Sequence, residues 1–465
     1  MRQKAVVIAA AVVAAIGLVA PRAQAQGFSV YEHDACAMGR SGAGVAAPCT
    51  GGSAIFFNPA GIVTGTGAWN LTFGATLIPP RGGFTADGGA TTDMTKDNNV
   101  VPHLYLTRQV GTRMAVGVGM FVPYGLTTEW PNTFAGRFLA YKTTLHAIYV
   151  QPTVAFKVTP RLQVGAGIDF IRTSVELHQR QDLYSTAIAP ALLGVGVPLT
   201  AGTDFADARI HGTANSTGAH FGIIWRATDK LSLGARYMTG VTAKGKGFAG
   251  FTQVATGLTL TPHQDTLLSG LLGRTVPVGA TVDMLMASQF TTGALQTQAV
   301  TAAIALPAQF VAGFAYQLTP SLQVMADAEL TQWSKYKTLP LQFSLIGADT
   351  MYESYKNTVG WRAALEYALS PKATLRGGFL THPSAAPDWN VTPLLPEAGR
   401  FEAIVGGGYK LTHGITVNGA LQYIHQSDRR GRIVDYNPNT QTNDPNSGTY
   451  KMHAILVGLG FSFAF

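Results

Sequence analysis

The chain has 465 residues, of which 12% are charged, 46% are hydrophobic and 53 are glycine. This composition excludes intrinsic disorder, and no stretch beyond the N-terminus approaches the ~20 continuous apolar residues that would make it a helical membrane protein. Without Arg2, Lys4 and Arg22 the formal charge falls by three, from +8 to +5, a modest excess that points to no nucleic-acid partner and favours anionic ligands or lipopolysaccharide.

At the N-terminus, Arg2 and Lys4 precede an apolar run ending near Ala20, and Ala23-Gln24-Ala25 supplies the small residues of a cleavage site. The pattern predicts a signal peptide over 1–25 and export of the mature chain. Residues 26–67 are rich in Gly, Ala and Ser and lack sustained alternation. Such backbone is tolerated at membrane depth only inside protein or a water-filled cavity, which places it in a barrel lumen as a plug, the alternative being a periplasmic tail. Cys36 and Cys49 fall in this stretch, and for an exported pair a disulfide is expected, with two buried thiols the alternative. His33 is the only other soft ligand nearby, so neither a metal site nor a cofactor is expected.

From residue 68 onward, polar turns repeatedly precede strands of alternating character. After Thr159-Pro160-Arg161, Leu162, Val164, Ala166, Ile168 and Phe170 share one face, and Gln163, Gly165, Gly167 and Asp169 share the other. That is the pattern of a lipid-facing, water-backed strand. Strands are placed near 68–78, 100–108, 113–121, 144–157, 161–174, 213–227, 230–241, 302–318, 321–334, 355–369, 372–380, 400–411, 414–426 and 449–465. The fold class is therefore all-β: a 14-stranded antiparallel transmembrane β-barrel over 68–465, in the outer membrane, with short periplasmic turns and long extracellular connections at 175–212 and 242–301. The last strand ends on Phe465 with Ile455, Val457, Leu459, Phe461 and Phe463 on its apolar face. Alternation turns Asp169, Arg236, Asp327, Glu329, Arg362, Glu366, Arg376 and Glu402 inward, where pairing among themselves is expected; Lys335 and Lys337 lie near the extracellular end of the ninth strand.

In and after the third strand, Gly117, Gly119, Pro123 and Gly125 cluster. Glycine weakens a strand and proline removes a ladder donor, so pairing is expected to fail locally here. The long connections carry Ile188, Leu192 and Leu193, and Leu267, Leu268, Leu271 and Leu272, at a spacing that suits short amphipathic helices. Such apolar surface marks either a binding groove or two segments packed on each other.

Gly27-Phe28, Met38-Gly39-Arg40-Ser41-Gly42-Ala43-Gly44 and Phe57-Asn58-Pro59-Ala60-Gly61 resemble the N-terminal hatch of the FadL family of outer-membrane transporters for long-chain fatty acids and other hydrophobic compounds. The segments Tyr124 to Trp130, Phe134-Ala135-Gly136, Leu306-Pro307 and Ala328 to Tyr336 are also similar to that family. The resemblance implies a fourteen-stranded barrel closed by the hatch, an extracellular capture groove formed by the seven leucine and isoleucine positions above, and an interior pocket. It further implies lateral exit at a kink in strand three, near Gly117, Gly119, Pro123 and Gly125. Gly27, Phe28, Asn58, Pro59 and Ala60 become candidates for ligand contact in the hatch and interior. The implied partners are a fatty acid or aromatic hydrocarbon, outer-membrane lipid and lipopolysaccharide, and the barrel-assembly machinery; a monomer is expected.

Catalysis has little support, because the 11 histidines are scattered and no G-x-S-x-G occurs. The competing functions are uptake of monoaromatic hydrocarbons by the same fold and a general diffusion porin. A porin needs an open polar bore, which the plug and the greasy connections argue against.

Overall fold

The computed structural model describes residues 27–65, 67–412, 414–436 and 446–465. The expected signal peptide lies outside the described residues. Fourteen strands form the ring: β1 Trp69–Ile78, β2 Asn99–Val110, β3 Met114–Glu129, β4 Lys142–Thr159, β5 Leu162–Asp182, β6 Asp204–Arg226 and β7 Leu231–Met238 make the first half. β8 Gln309–Thr319, β9 Leu322–Thr331, β10 Thr358–Ala368, β11 Ala373–His382, β12 Arg400–Thr412, β13 Ile415–Gln426 and β14 Gly448–Ala464 make the second. Each pairs antiparallel with its sequence neighbour, and β14 closes on β1 with Phe461 opposite Phe73. Closure of β14 on β1 leaves neither terminal strand with an edge that lipid would deprive of hydrogen bonds.

Alternation decides which side faces lipid. On β5, Ile168 and Phe170 are 54% and 52% exposed while Asp169 between them is fully buried. On β14, Ile455, Val457 and Leu459 face outward in the same way.

The strands run further toward the extracellular side than alternation predicts. β5 continues to Asp182 rather than 174, and β6 begins at Asp204 rather than 213. In those extensions the outward positions are polar, among them Glu176, Arg209 and His211, so outward apolar periodicity vanishes although pairing continues. Strands seven and eight are each interrupted. Beyond β7 the chain resumes as Val241–Gln253 against β6, and Gln298–Leu306 precedes β8 across a break at Pro307 and Ala308. The extracellular end is finished by the hairpin Thr338–Phe343 and Gly347–Tyr352 and by three helices, α3 Ala189–Gly194, α4 Pro262–Leu272 and α5 Val282–Thr291.

Two shorter helices, α1 Ala35–Gly39 and α2 Ala54–Phe57, precede the ring. The segment that carries them is buried almost throughout and touches inward residues all around the wall. Gly39 lies against Arg376 and Gly406, Gly52 against Tyr105, and Val45 against Gly234.

Candidate functional site

Strand β3 parts from β2 midway. The ladder between them runs from Val110 opposite Met114 to Leu104 opposite Met120 and ends there, although β2 continues to Asn99 along β1. Pro102 lies just past the end on β2 and Pro123 just past it on β3. Neither carries an N–H, so each strand lacks a ladder donor at the place where pairing fails. Against β4 the register slips between Phe121 and Tyr124, a one-residue bulge formed by Val122 and Pro123 that re-aims the strand.

The edge of β3 that β2 abandons is taken by the N-terminal segment. Val30 N donates to Pro123 O at 3.0 Å, and Gly125 N donates to Phe28 O at 2.9 Å. The Phe28 ring is held edge-on by Trp333, Tyr336 and Tyr124 at centroid distances of 4.7, 5.4 and 6.1 Å. Gly27 has φ +57°, and a Cβ there would meet the Trp333 ring at 2.6 Å. Glycine is required on both counts.

A cavity follows the gap. It reaches from Phe28, Leu126 and Arg400 past Val101 of β2 and Val122 of β3 to His146, an exposed residue on the outer face of β4. A second, smaller and almost wholly apolar cavity lies higher in the barrel between Val175, Ile210, Ile304 and Leu341.

The gate positions read from sequence divide. Pro123 and Gly125 stand at the opening. Gly117 and Gly119 do not, because they pair with Thr107 and Tyr105 inside the intact ladder. A Cβ on either would press on the β2 side chains at 2.7 Å and on Ile55 at 3.1 and 3.2 Å, so these glycines admit the N-terminal segment.

The hatch candidates divide likewise. Gly27 and Phe28 line the cavity, whereas Asn58, Pro59 and Ala60 are buried away from it. Asn58 Nδ2 donates to the carbonyls of Val45, Ile223 and Ala235 at 2.6, 3.0 and 3.2 Å, and its Oδ1 accepts from Ala60 N. Pro59 packs where Gly165 and Gly222 leave room. The Asn-Pro-Ala element therefore fastens the segment to β5, β6 and β7, away from the cavity that Gly27 and Phe28 line.

Cys36 and Cys49 are joined by a disulfide with Cα atoms 6.3 Å apart. Beside it, Asp34 caps α1 by accepting from Cys36 N and also accepts from Ser53 Oγ at 2.5 Å. The inward charges grip the segment as well as one another. Asp327 accepts from Gly44 N and Val45 N, Glu366 binds Arg40 and Arg376 together, and Glu329 binds Arg362 and the Tyr31 hydroxyl. Lys335 and Lys337 are exposed.

At the extracellular end, the seven groove positions split between two environments. Leu192 and Leu268 are fully buried in a cluster that joins the two connections and includes Val282 and Leu285 of α5. Ile188 and Leu272 pack at its edge, and Leu193, Leu267 and Leu271 face outward at 40%, 43% and 62% exposure. Nearby, Glu353 is buried among Asn390, Tyr336 and Arg432, and burial pushes its carboxyl from the ordinary 4.5 up to about 7 against the pull of Arg432. Sequence reasoning did not find Pro102, the Trp333 and Tyr336 cage, or Arg400. The visible signal for the first was a proline inside an otherwise regular strand pattern.

A closed antiparallel barrel with an apolar outer belt, its bore occupied by its own N-terminal segment and its cavity opening sideways, defines a β-barrel membrane protein. Residues 16–465 match the family described as outer membrane protein transport protein (OMPP1/FadL/TodX), and the chain belongs to that family. It is 22% identical over 478 residues to the long-chain fatty acid transport protein of Escherichia coli O6:H1, covering all of both chains. It is 23% identical to outer membrane protein P1 of Haemophilus influenzae, covering 96% of this chain and 97% of that protein. Among solved structures, a FadL homologue from Pseudomonas aeruginosa superposes with TM-score 0.74 at 20% identity, covering 95% of this chain and all of the other. The Pseudomonas putida toluene transporter TodX superposes with TM-score 0.67 at 17% identity, covering 94% and 99%. The family comprises outer-membrane transporters and channels for hydrophobic compounds, not enzymes, and the chain is an outer-membrane protein.

Proposed function

We propose that this protein takes up long-chain fatty acids, the cargo named for its Escherichia coli relative, and delivers them sideways into the membrane through the gap between β2 and β3. The end of the β2–β3 ladder at Leu104 and Met120, with a cavity running through it, is the observation that carries this. An apolar chain that left straight through the bore would enter the aqueous periplasm, whereas a lateral exit keeps it in apolar surroundings. Capture falls to the outward leucines of α3 and α4, and the apolar cavity near Ile210 and Ile304 lies between capture and exit. The N-terminal segment acts as the plug that denies water the same path. Arg400, which lines the exit cavity and shares its charge with Glu402 at 2.9 Å, is placed to receive a carboxylate.

The test is Gly125→Trp. A Cβ at Gly125 meets Val30 and Val122 only at 3.4 and 3.7 Å, so the new side chain enters the opening without a backbone clash. Uptake of a labelled long-chain fatty acid by cells lacking their own transporter should be lost while the barrel still migrates as a folded species. Undiminished uptake would remove the lateral route. Mass spectrometry of co-purifying lipid tests the cargo, and an alkylbenzene in place of a fatty acid would replace the carboxylate assignment.

A further inference from the structure

On the outer wall of β5, β6 and the Val241–Gln253 strand a group of cations lies between an apolar belt and Phe248, which is 65% exposed and pairs with His211. Toward the periplasm the outward residues are Ile168, Phe170, Phe221, Ile223 and Trp225, all strongly exposed and apolar. Above them stand Arg172, His211, Lys244 and Lys246, also exposed. The registers bring these together, because Arg172 pairs with Asn215 and Lys246 with Thr213, and Lys244 lies two positions from Lys246 on the same face. Paired strands lie about 4.8 Å apart and alternate residues about 6.6 Å along a strand, so Lys244 and Lys246 are about 7 Å apart, and Arg172, two strands across and two positions along from Lys246, is about 12 Å from it.

The acids of this wall are already engaged. Glu176 binds His178 at 2.6 Å, and Asp207 binds Arg209 at 3.3 Å and the Tyr141 hydroxyl at 2.7 Å. On the other side of Lys244 and Lys246, their cross-strand neighbours are Ala303 and Thr301, which are neutral. Arg172 has a single 3.4 Å hydrogen bond, from Nη1 to Asn215 Oδ1. Among the described residues no carboxylate lies within 4.0 Å of Arg172, Lys244 or Lys246.

Height identifies the partner. Arg172 follows Leu162, the first residue of β5, by ten positions. At about 3.3 Å per residue and a tilt of about 40° that is a rise of about 25 Å, the height of the lipid-facing band. The cations therefore stand at the headgroup level of the outer leaflet, on the extracellular side. We propose that Arg172, Lys244 and Lys246 form a wall site for the phosphate groups of lipopolysaccharide. Arg172 offers a planar fork to one phosphate, and the two lysines serve as point charges for it and its neighbour. Phe170 and Phe221 below accept the acyl chains.

The experiment uses the full mature chain in detergent, titrated with bis-phosphorylated lipid A, dephosphorylated lipid A and cardiolipin, and read by native mass spectrometry. Compared with it are the combined variant R172Q/K244Q/K246Q, the single variant K244Q, and R226Q/K372Q/K410Q, which neutralises exposed cations at the periplasmic end. Lipid A should bind the native protein and the periplasmic variant alike and the combined variant about 100-fold more weakly, with K244Q in between. Equal binding of dephosphorylated lipid A, cardiolipin binding as tight as lipid A, or undiminished binding by the combined variant would each overturn the site. If the combined variant does not fold, an unchanged K244Q does the same.

Discussion

Pro102 and Pro123 stand one on each side of the point where β2 and β3 part, just past Leu104 and Met120, their last paired residues. The gap is thus written into both strands by the removal of a donor from each. Replacing both prolines by valine restores two N–H groups and favours a longer ladder. Fatty-acid uptake should fall on the order of tenfold, with folded yield unchanged. A variant that transports normally would mean that the bulge alone holds the strands apart.

Gly27 tests how the N-terminal segment backs that opening. Gly27→Val forces a β-branched residue into φ +57° and against the Trp333 ring. The strain should cost about 1–3 kcal/mol and free the Phe28 ring from its cage. A red shift in tryptophan emission, with the barrel intact, is the expected reading; an unshifted spectrum would show the cage surviving without the glycine.

Asn58→Ala tests whether the segment is a plug. The change leaves the Val45, Ile223 and Ala235 carbonyls without their shared donor and should destabilise the docked segment by about 1–3 kcal/mol. Single molecules in planar bilayers should then show larger or more frequent openings than the native protein. Unaltered conductance at normal incorporation would speak against a plug held by this residue.

Reduction of the Cys36–Cys49 bond, or Cys49→Ser, opens a crosslink between residues 13 apart. A loop of that size contributes about 3 kcal/mol in the chain-entropy account. Limited proteolysis should cut faster between residues 36 and 49 while the ring strands stay protected. Cutting at the same rate with and without reductant would show the segment held by its other contacts alone.

Glu353 links stability to pH. Its carboxyl is raised to about 7 from an ordinary 4.5, chiefly by burial. An acid raised in the folded state contributes stability that is full below its unfolded value and is lost as pH climbs through the folded one. Thermal midpoints should therefore fall between about pH 5 and 8, and Glu353→Gln should flatten that slope. A slope unchanged in the variant would assign the dependence to another group.

The ring was legible because its lower half obeys a strict rule: residues facing lipid are apolar, and Leu162 to Phe170 alternate accordingly. Above Arg172 the outward positions of β5 and β6 are polar, so pairing that continues to Asp182 and from Asp204 left no lipid-facing apolar trace. Gly117 and Gly119 resembled a weak strand for the same reason that they fit the wall: each lacks a side chain, and only the position of Ile55 shows why. In the connections, spacing marked Leu192, Leu193, Leu267, Leu268 and Leu271 as helical and apolar. It could not tell the buried pair, Leu192 and Leu268, from the outward three, because that depends on how α3, α4 and α5 meet.

The sequence by itself determined a membrane barrel of fourteen strands and an N-terminal segment unfit for lipid, since lipid enforces period-two apolarity and internal hydrogen bonding at every spanning residue. Only the tertiary structure decided that Asn58 is an anchor, that Phe28 rests in a cage from β3 and the residues after β9, and that Pro102 and Pro123 share one gap. These relations join residues far apart in the chain through strand register and close packing, and local pattern carries no record of either.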